Sequence, residues 1–177
     1  MRVAIMGYSG SGKSTTAKKI GELYHIPVLH LDTVQFLPNW QEREIDDSRE
    51  IVKKFMSENQ EWVIDGNYSA FLQEERLKLA DKILLFDFPR RVCFFRVIKR
   101  YLKYKGSNRP DMSAGCDEKM DFEFAKWVLI DGRTKKHREK FAKVMKDYPQ
   151  KAVRLKNQGQ TDELLQSLKK EKIGNLL

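Results

Sequence analysis

Apolar residues follow two rhythms along this chain. Short unbroken runs, several rich in β-branched residues, occur at 2–6 (RVAIM), 28–31 (VLHL), 62–64 (WVI), 82–86 (KILLF) and 152–155 (AVRL), and they read as strands. Between them apolar positions recur every three or four residues, which predicts helices over 13–24, about 45–58, about 71–79, 91–105, about 122–147 and 162–170. This alternation is that of βα units wound about a parallel sheet with helices on both faces. Pro27, the pair Gly66-Asn67, Pro89 and Pro149 punctuate the changes of element, and Thr161, followed by Asp162 and Glu163, offers an N-cap for the last helix. One stretch keeps neither rhythm. Residues 106–121 (GSNRPDMSAGCDEKMD) read as a long irregular connection, of the kind that is functional or mobile.

Composition narrows the class. The chain has 177 residues, 41% hydrophobic and 33% charged, with ten Phe, six Tyr and three Trp, enough apolar material for the core of a single domain spanning 1–177. No uncharged apolar stretch approaches the roughly 18 to 20 residues of a membrane span, so neither a span nor a signal peptide is expected. Cys93 and Cys116 fit neither a disulfide framework nor a zinc pattern and read as reduced thiols of a cytoplasmic protein. Charge is uneven: residues 1–80 carry 10 basic and 12 acidic side chains, residues 81–177 carry 24 and 13. A basic second half points to anionic ligands or nucleic acid, although the lysines between Lys140 and Lys172 read better as a solvated helix surface.

The decisive motif is Gly7-Tyr-Ser-Gly-Ser-Gly12-Lys13-Ser14, which matches G-x-x-x-x-G-K-[ST] between the first strand and the first helix. Glycines at these positions let successive N–H groups turn toward phosphate oxygens, and the helix N-terminus adds its positive end. Gly7, Ser9, Gly10, Ser11, Gly12, Lys13, Ser14 and Thr15 are therefore the expected ATP-binding residues, with Lys13 on the β- and γ-phosphates and Ser14 on Mg²⁺.

In an open parallel sheet ligands sit beyond the carboxyl ends of the strands, where Asp32, Asp65 and Asp87 fall. Asp32 and Asp65 are expected to order the acceptor or the metal, giving Ser14, Asp32 and Asp65 as the metal set, while Asp87 reads as a capping or packing residue. His25, His30 and His137 have no metal-ligand spacing, and His30 reads as a strand residue facing the core. Trp62, Phe86, Phe94, Phe95 and Trp127 are expected in the core. After Pro89, Arg96 and Arg100 share a helix face at i,i+4 and suit phosphate contact; Arg109, Arg133 and Arg138 extend the set, whereas Lys99, Lys103, Lys105, Lys135 and Lys136 read as solvated.

These pieces together resemble the adenylate-kinase-like branch of P-loop kinases, and within it the bacterial DNA topology modulation protein family. The likeness is carried by GYSGSGKST, LHLDTVQFLPNW, WVIDGNYS, LLFDFPRRVCFFRVIKR and NRPDMSAGCDE with FEFAKWV, and it covers nearly the whole chain. The resemblance implies a P-loop NTPase three-layer α/β/α sandwich with a five-stranded parallel sheet, and a lid over residues 101–133. It also implies Arg96 against the adenine, Arg100 on the phosphates, and Asp65 near the magnesium. The segment from Asp32 to Trp40 does not look like the AMP-binding segment of an adenylate kinase, and the lid lacks that family's zinc cysteines. The function expected is Mg-ATP-dependent phosphoryl transfer to a nucleotide-like or other small acceptor by a monomer or dimer, with no membrane partner. The alternative is an ATP-binding regulator that contacts DNA through its basic half, for which no DNA-binding motif is present.

Overall fold

The computed structural model describes residues 1–107, 109 and 111–174; Asn108 and Pro110 of the irregular stretch, and residues 175–177, lie outside them. β1 (Arg2–Gly7) feeds the loop before α1 (Lys13–Tyr24), and β2 (Val28–His30) feeds a short helix, α2 (Leu31–Gln35). β3 (Phe36–Leu37) and β4 (Gln41–Glu42) form a small antiparallel hairpin around a 3-10 turn at Pro38–Trp40. Then come α3 (Ile45–Glu58), β5 (Trp62–Asp65), α4 (Gln73–Leu79), β6 (Lys82–Phe86) and α5 (Arg90–Tyr104). α6 (Phe122–Leu129), α7 (Lys135–Asp147), β7 (Ala152–Leu155) and α8 (Gln158–Gly174) complete the order.

All five expected strands are present and form one parallel sheet in the order β2-β5-β1-β6-β7. β1 lies at its centre because its residues 3–6 are wholly apolar and buried, as a strand covered by helices on both faces requires. The chain returns from β5 to β6 across β1, so the sheet reverses its winding at the β1 end, where the Gly7–Ser14 loop emerges.

Four differences from expectation have physical causes. The long helix over 122–147 is broken into α6 and α7 by a 3-10 turn at Asp131–Arg133, where a side chain at Gly132 would meet the Trp127 carbonyl at 2.9 Å. α8 starts at Gln158, so Thr161 lies inside it and is no cap; Asn157 accepts the Gln160 N–H instead at 3.0 Å. Phe95 is 68% exposed and Trp127 44% exposed, against the expectation of core, whereas Trp62 and Phe86 are fully buried and Phe94 half-buried. α5 turns Cys93 and Val97, four residues apart, to the sheet, which carries Phe95 to the far side. Finally, α2 and the hairpin occupy a region with no predicted element. Two left-handed residues, Asn39 at φ 62° and Trp40 at φ 61°, make its turn, a conformation costly for a bulky residue.

The irregular stretch is packed onto that hairpin. Asn39 N–H donates to the Gly115 carbonyl (3.1 Å), Trp40 Nε1 to that of Asp117 (3.2 Å), Cys116 Sγ to that of Leu37 (3.2 Å), and Ser113 Oγ to those of Thr33 (3.2 Å) and Phe36. Cys93 and Cys116 are both free and buried. Among the described residues no helix is long and apolar enough to cross a membrane.

Candidate active site

The phosphate loop is fixed from beneath. A Cβ at Gly10, where φ is +76°, would lie 2.5 Å from the Cys93 carbonyl, so only glycine lets the loop rest on α5. Gly12 at φ +98° serves as N-cap of α1 with no side-chain cap, and the first-turn amides stay available to an anion. Ser11 Oγ and Lys13 Nζ both donate to the Tyr8 carbonyl, at 2.7 and 3.0 Å. Asn67 clamps the loop's first residue from both sides: its Oδ1 accepts from the Gly7 N–H (2.9 Å) and its Nδ2 donates to the Gly7 carbonyl (2.7 Å). The loop opens into a cavity of about 920 Å³, lined by Ser9, Gly10, Ser11, Gly12, Lys13, Ser14 and Thr15 and by side chains from β5, α2, α5 and α7.

Both acids that sequence assigned to the site reach this cavity. Asp32 Oδ1 accepts from the Tyr68 hydroxyl at 2.8 Å; burial, then the Asp32 charge and this bond, push the phenol far above its ordinary pKa. Asp65 Oδ2 lies 3.2 Å from His30 Nδ1, while Asp65 Oδ1 is buried with no partner. His30, a half-buried strand residue, therefore touches the site through Asp65 and does not itself line the cavity. Burial pulls its pKa down, but the bond and charge of Asp65, helped by Asp111 and Asp32, outweigh it and leave it raised above 6.5. An orphaned carboxylate oxygen beside a phosphate loop is a fitting partner for a hard cation. Among the described residues no group of three or more His, Cys, Asp or Glu could hold a metal unaided. The donor set fits Mg²⁺, which takes one or two carboxylates and completes its shell with water and substrate phosphate.

The arginines divide. Arg96 clips the loop to the start of α8, with Nη1 on the Ser11 carbonyl (2.9 Å), Nη2 on Gln158 Oε1 (2.8 Å) and Cζ 4.9 Å over the Phe88 ring. Arg100 donates Nε to Glu118 Oε1 at 2.8 Å, and Arg109 Nε lies 2.6 Å from Glu118 Oε2, so one buried carboxylate holds two guanidinium groups. Burial and then the Arg109 charge lower the pKa of Arg100, opposed by Glu118. Arg133 stacks 3.7 Å from the Tyr8 ring centroid and donates to the carbonyls of Phe88 and Val128. Arg138 does not line this cavity. It faces a second one of about 190 Å³ with Arg90, Arg133 and Arg154, and Asp87 there pairs with Arg154, an ion-pair role rather than a cap.

No protein-family model matches the sequence, and no curated protein does. Among solved structures the chain is similar to shikimate kinase from Acinetobacter baumannii in complex with shikimate. That likeness has a TM-score of 0.59 and 17% sequence identity, over 99% of this chain and 94% of that one. The fold is that of a P-loop kinase.

Within the P-loop kinase fold, several residues of the site had no sequence signal. Asn67 was visible only as part of a turn. Arg76, fully buried, donates to the carbonyls of Phe71 and Tyr68 (both 2.8 Å) and so shapes the loop that carries Asn67 and Tyr68; burial lowers its pKa to about 10. Lys140, expected on a solvated surface, donates to the Asn67 carbonyl (3.2 Å) and Ser69 Oγ (2.6 Å), and burial lowers its pKa. Lys99, Lys103 and Trp127 line the cavity as well.

Proposed function

We propose that this protein is a Mg-ATP-dependent phosphotransferase that moves the γ-phosphate of ATP to a small acceptor, in the manner of nucleoside and nucleotide kinases. The observation that carries this reading is the continuity of one cavity from the Gly7–Ser14 loop to Asp32 and Asp65. Loop amides and Lys13 would receive the phosphates, and Arg96, held on the loop by the Ser11 carbonyl, would stack on the purine. Ser14 and Asp65, whose Oδ1 has no partner, would hold Mg²⁺, which when bound neutralises charge on the β- and γ-phosphates, and Asp32 would serve the acceptor. Arg133 supplies further positive charge, and Arg100 and Arg109 would add theirs on exchanging Glu118 for phosphate oxygens. Residues 101–133 act as a lid that excludes water, the competing acceptor. The finer resemblance, to the DNA topology modulation protein family, is part of this proposal and leaves the acceptor open.

A second reading, an ATP-responsive DNA-binding regulator, draws on Arg90, Arg138 and Arg154, which line the second cavity and not the first. ADP release from Mg-ATP by purified protein, with small acceptors and with duplex DNA, and with Lys13→Ala as the blank, separates the two. Stimulation by a small acceptor supports the kinase. Stimulation by DNA alone supports the regulator.

A further inference from the structure

The two ends of the large cavity differ in charge. The loop and α1 contribute Lys13 and Lys19, and the chain from residue 96 onward contributes Arg96, Lys99, Arg100 and further cations. Residues 26–80, from β2 to α4, contribute two carboxylates (Asp32 and Asp65), the rings of Phe36, Trp40 and Tyr68, the amide of Asn67 and small residues, with no lysine or arginine. Arg43 and Arg76 of this half are turned elsewhere, to the carbonyl of Val34 and to those of Phe71 and Tyr68. Cations from later in the chain also reach this end: Lys140 of α7, whose Nζ is held by the Asn67 carbonyl (3.2 Å) and Ser69 Oγ (2.6 Å), and Arg109 and Lys119 of the segment packed on the hairpin, both matched by carboxylates. Arg109 lies between Glu118 (2.6 Å) and Asp111 (3.4 Å), and Lys119 lies 4.9 Å over the Trp40 ring and 3.9 Å from Asp121.

Resting on the kinase reading, we propose that the acceptor is a neutral ring compound bearing a hydroxyl, a nucleoside or a cyclic polyol, and that this wall rejects acceptors whose reacting group is a phosphate. A phosphate acceptor brings negative charge of its own and needs a free cation beside it; here it meets the Asp32 carboxylate, and Lys140 is already held by Asn67 and Ser69. A hydroxyl needs the opposite, a group to take its proton. Tyr68 orients Asp32 through Oδ1, and Oδ2 is the oxygen left for the acceptor. The acceptor oxygen bonds to the γ-phosphorus as the bond from that phosphorus to the β,γ-bridging oxygen breaks. The bridging oxygen leaves with the electron pair on ADP, and the hydroxyl proton passes to Asp32. Phe36 and Trp40, an edge-to-face pair with centroids 5.2 Å apart, offer the ring an apolar face.

The test is ADP release by the wild-type protein with paired acceptors: adenosine, guanosine, cytidine and thymidine, each beside its 5′-monophosphate, and myo-inositol beside its 1-phosphate, with products typed by phosphorus NMR. At least one neutral compound is expected to be used about tenfold or more better in kcat/KM than its phosphorylated counterpart, giving a phosphate ester. Asp32→Asn is expected to cut that turnover by about a hundredfold while binding of a non-hydrolysable ATP analogue, read by calorimetry, stays as in the wild type. Preference for a monophosphate, an anhydride product, or no response to any neutral compound each overturns the inference; the first two leave the kinase reading standing. Analogue binding that Lys13→Ala does not weaken, with no ADP release from any mixture, sinks the kinase reading itself.

Discussion

The floor of the phosphate loop and the seam between the 106–121 segment and the β3–β4 hairpin border the same cavity but are built differently. The floor is shape. Gly10 rests on the Cys93 carbonyl, Asn67 grips both backbone atoms of Gly7, and the strands beneath are buried on both faces. The seam is polarity. A hydroxyl, a thiol and an indole N–H reach carbonyls across it, and Glu118 binds two arginines near its edge. Close-packed shape tolerates one arrangement, whereas hydrogen bonds and ion pairs can be traded for water or for phosphate oxygens. A kinase that must hold its donor site still and open its cover would divide its construction in this way.

The largest effect expected on the floor comes from Gly10→Val, which forces bulk into the Cys93 carbonyl; ADP release should fall about a hundredfold or more while the sheet stays folded by circular dichroism. Retained activity would show that the loop can shift off α5. On the seam, Glu118→Gln leaves Arg100 and Arg109 without their carboxylate. It should cost about 3 kcal/mol in urea unfolding, the low end for a broken buried pair because Arg100 is 25% exposed, and should raise amide exchange around residues 111–118 before that of β1. Uniform loss of protection across both regions would abolish the distinction. Thiol labelling offers a smaller test in the wild-type protein. Cys93 lies beneath the phosphate loop and Cys116 in the hydrogen-bonded seam, so opening of the seam should let Cys116 react first, and saturating ATP analogue should slow Cys116 alone. The smallest effect expected is that of Arg138→Ala, within about twofold of wild-type turnover because the side chain faces the second cavity. A loss of about a hundredfold would mean that α7 swings toward the phosphates during closure.

Sequence resolved the floor far better than the seam, for a physical reason. Strands buried on both faces must be unbroken apolar runs, and a backbone that wraps phosphate must carry glycines at fixed offsets, so both leave a local signature. What holds the seam is long-range. The pairing of Glu118 with Arg100 and Arg109, the contact of Cys116 with Leu37, and the bonds of Lys140 to Asn67 and Ser69 join residues with no common spacing. The break between α6 and α7 was hidden likewise, since Gly132 matters only through the carbonyl it approaches. Asp32 and Asp65 were legible as strand-end acids, but that Tyr68 orients one and His30 pairs with the other depends on β2 lying beside β5.

The order of strands also sets a timetable. β1 pairs with β5 and β6, whose residues Trp62 and Lys82 lie opposite Arg2 and Val3, and Gly10 finds its support only at Cys93. On a ribosome moving at about 5–20 residues per second, the loop emerges on the order of five to fifteen seconds before the last part of its floor is made. Until β5 is made at residues 62–65, the apolar strand next to it has no partner. The phosphate site waits for chain made long after it, and a stall between residues 10 and 62 would leave β1 bare to neighbouring chains.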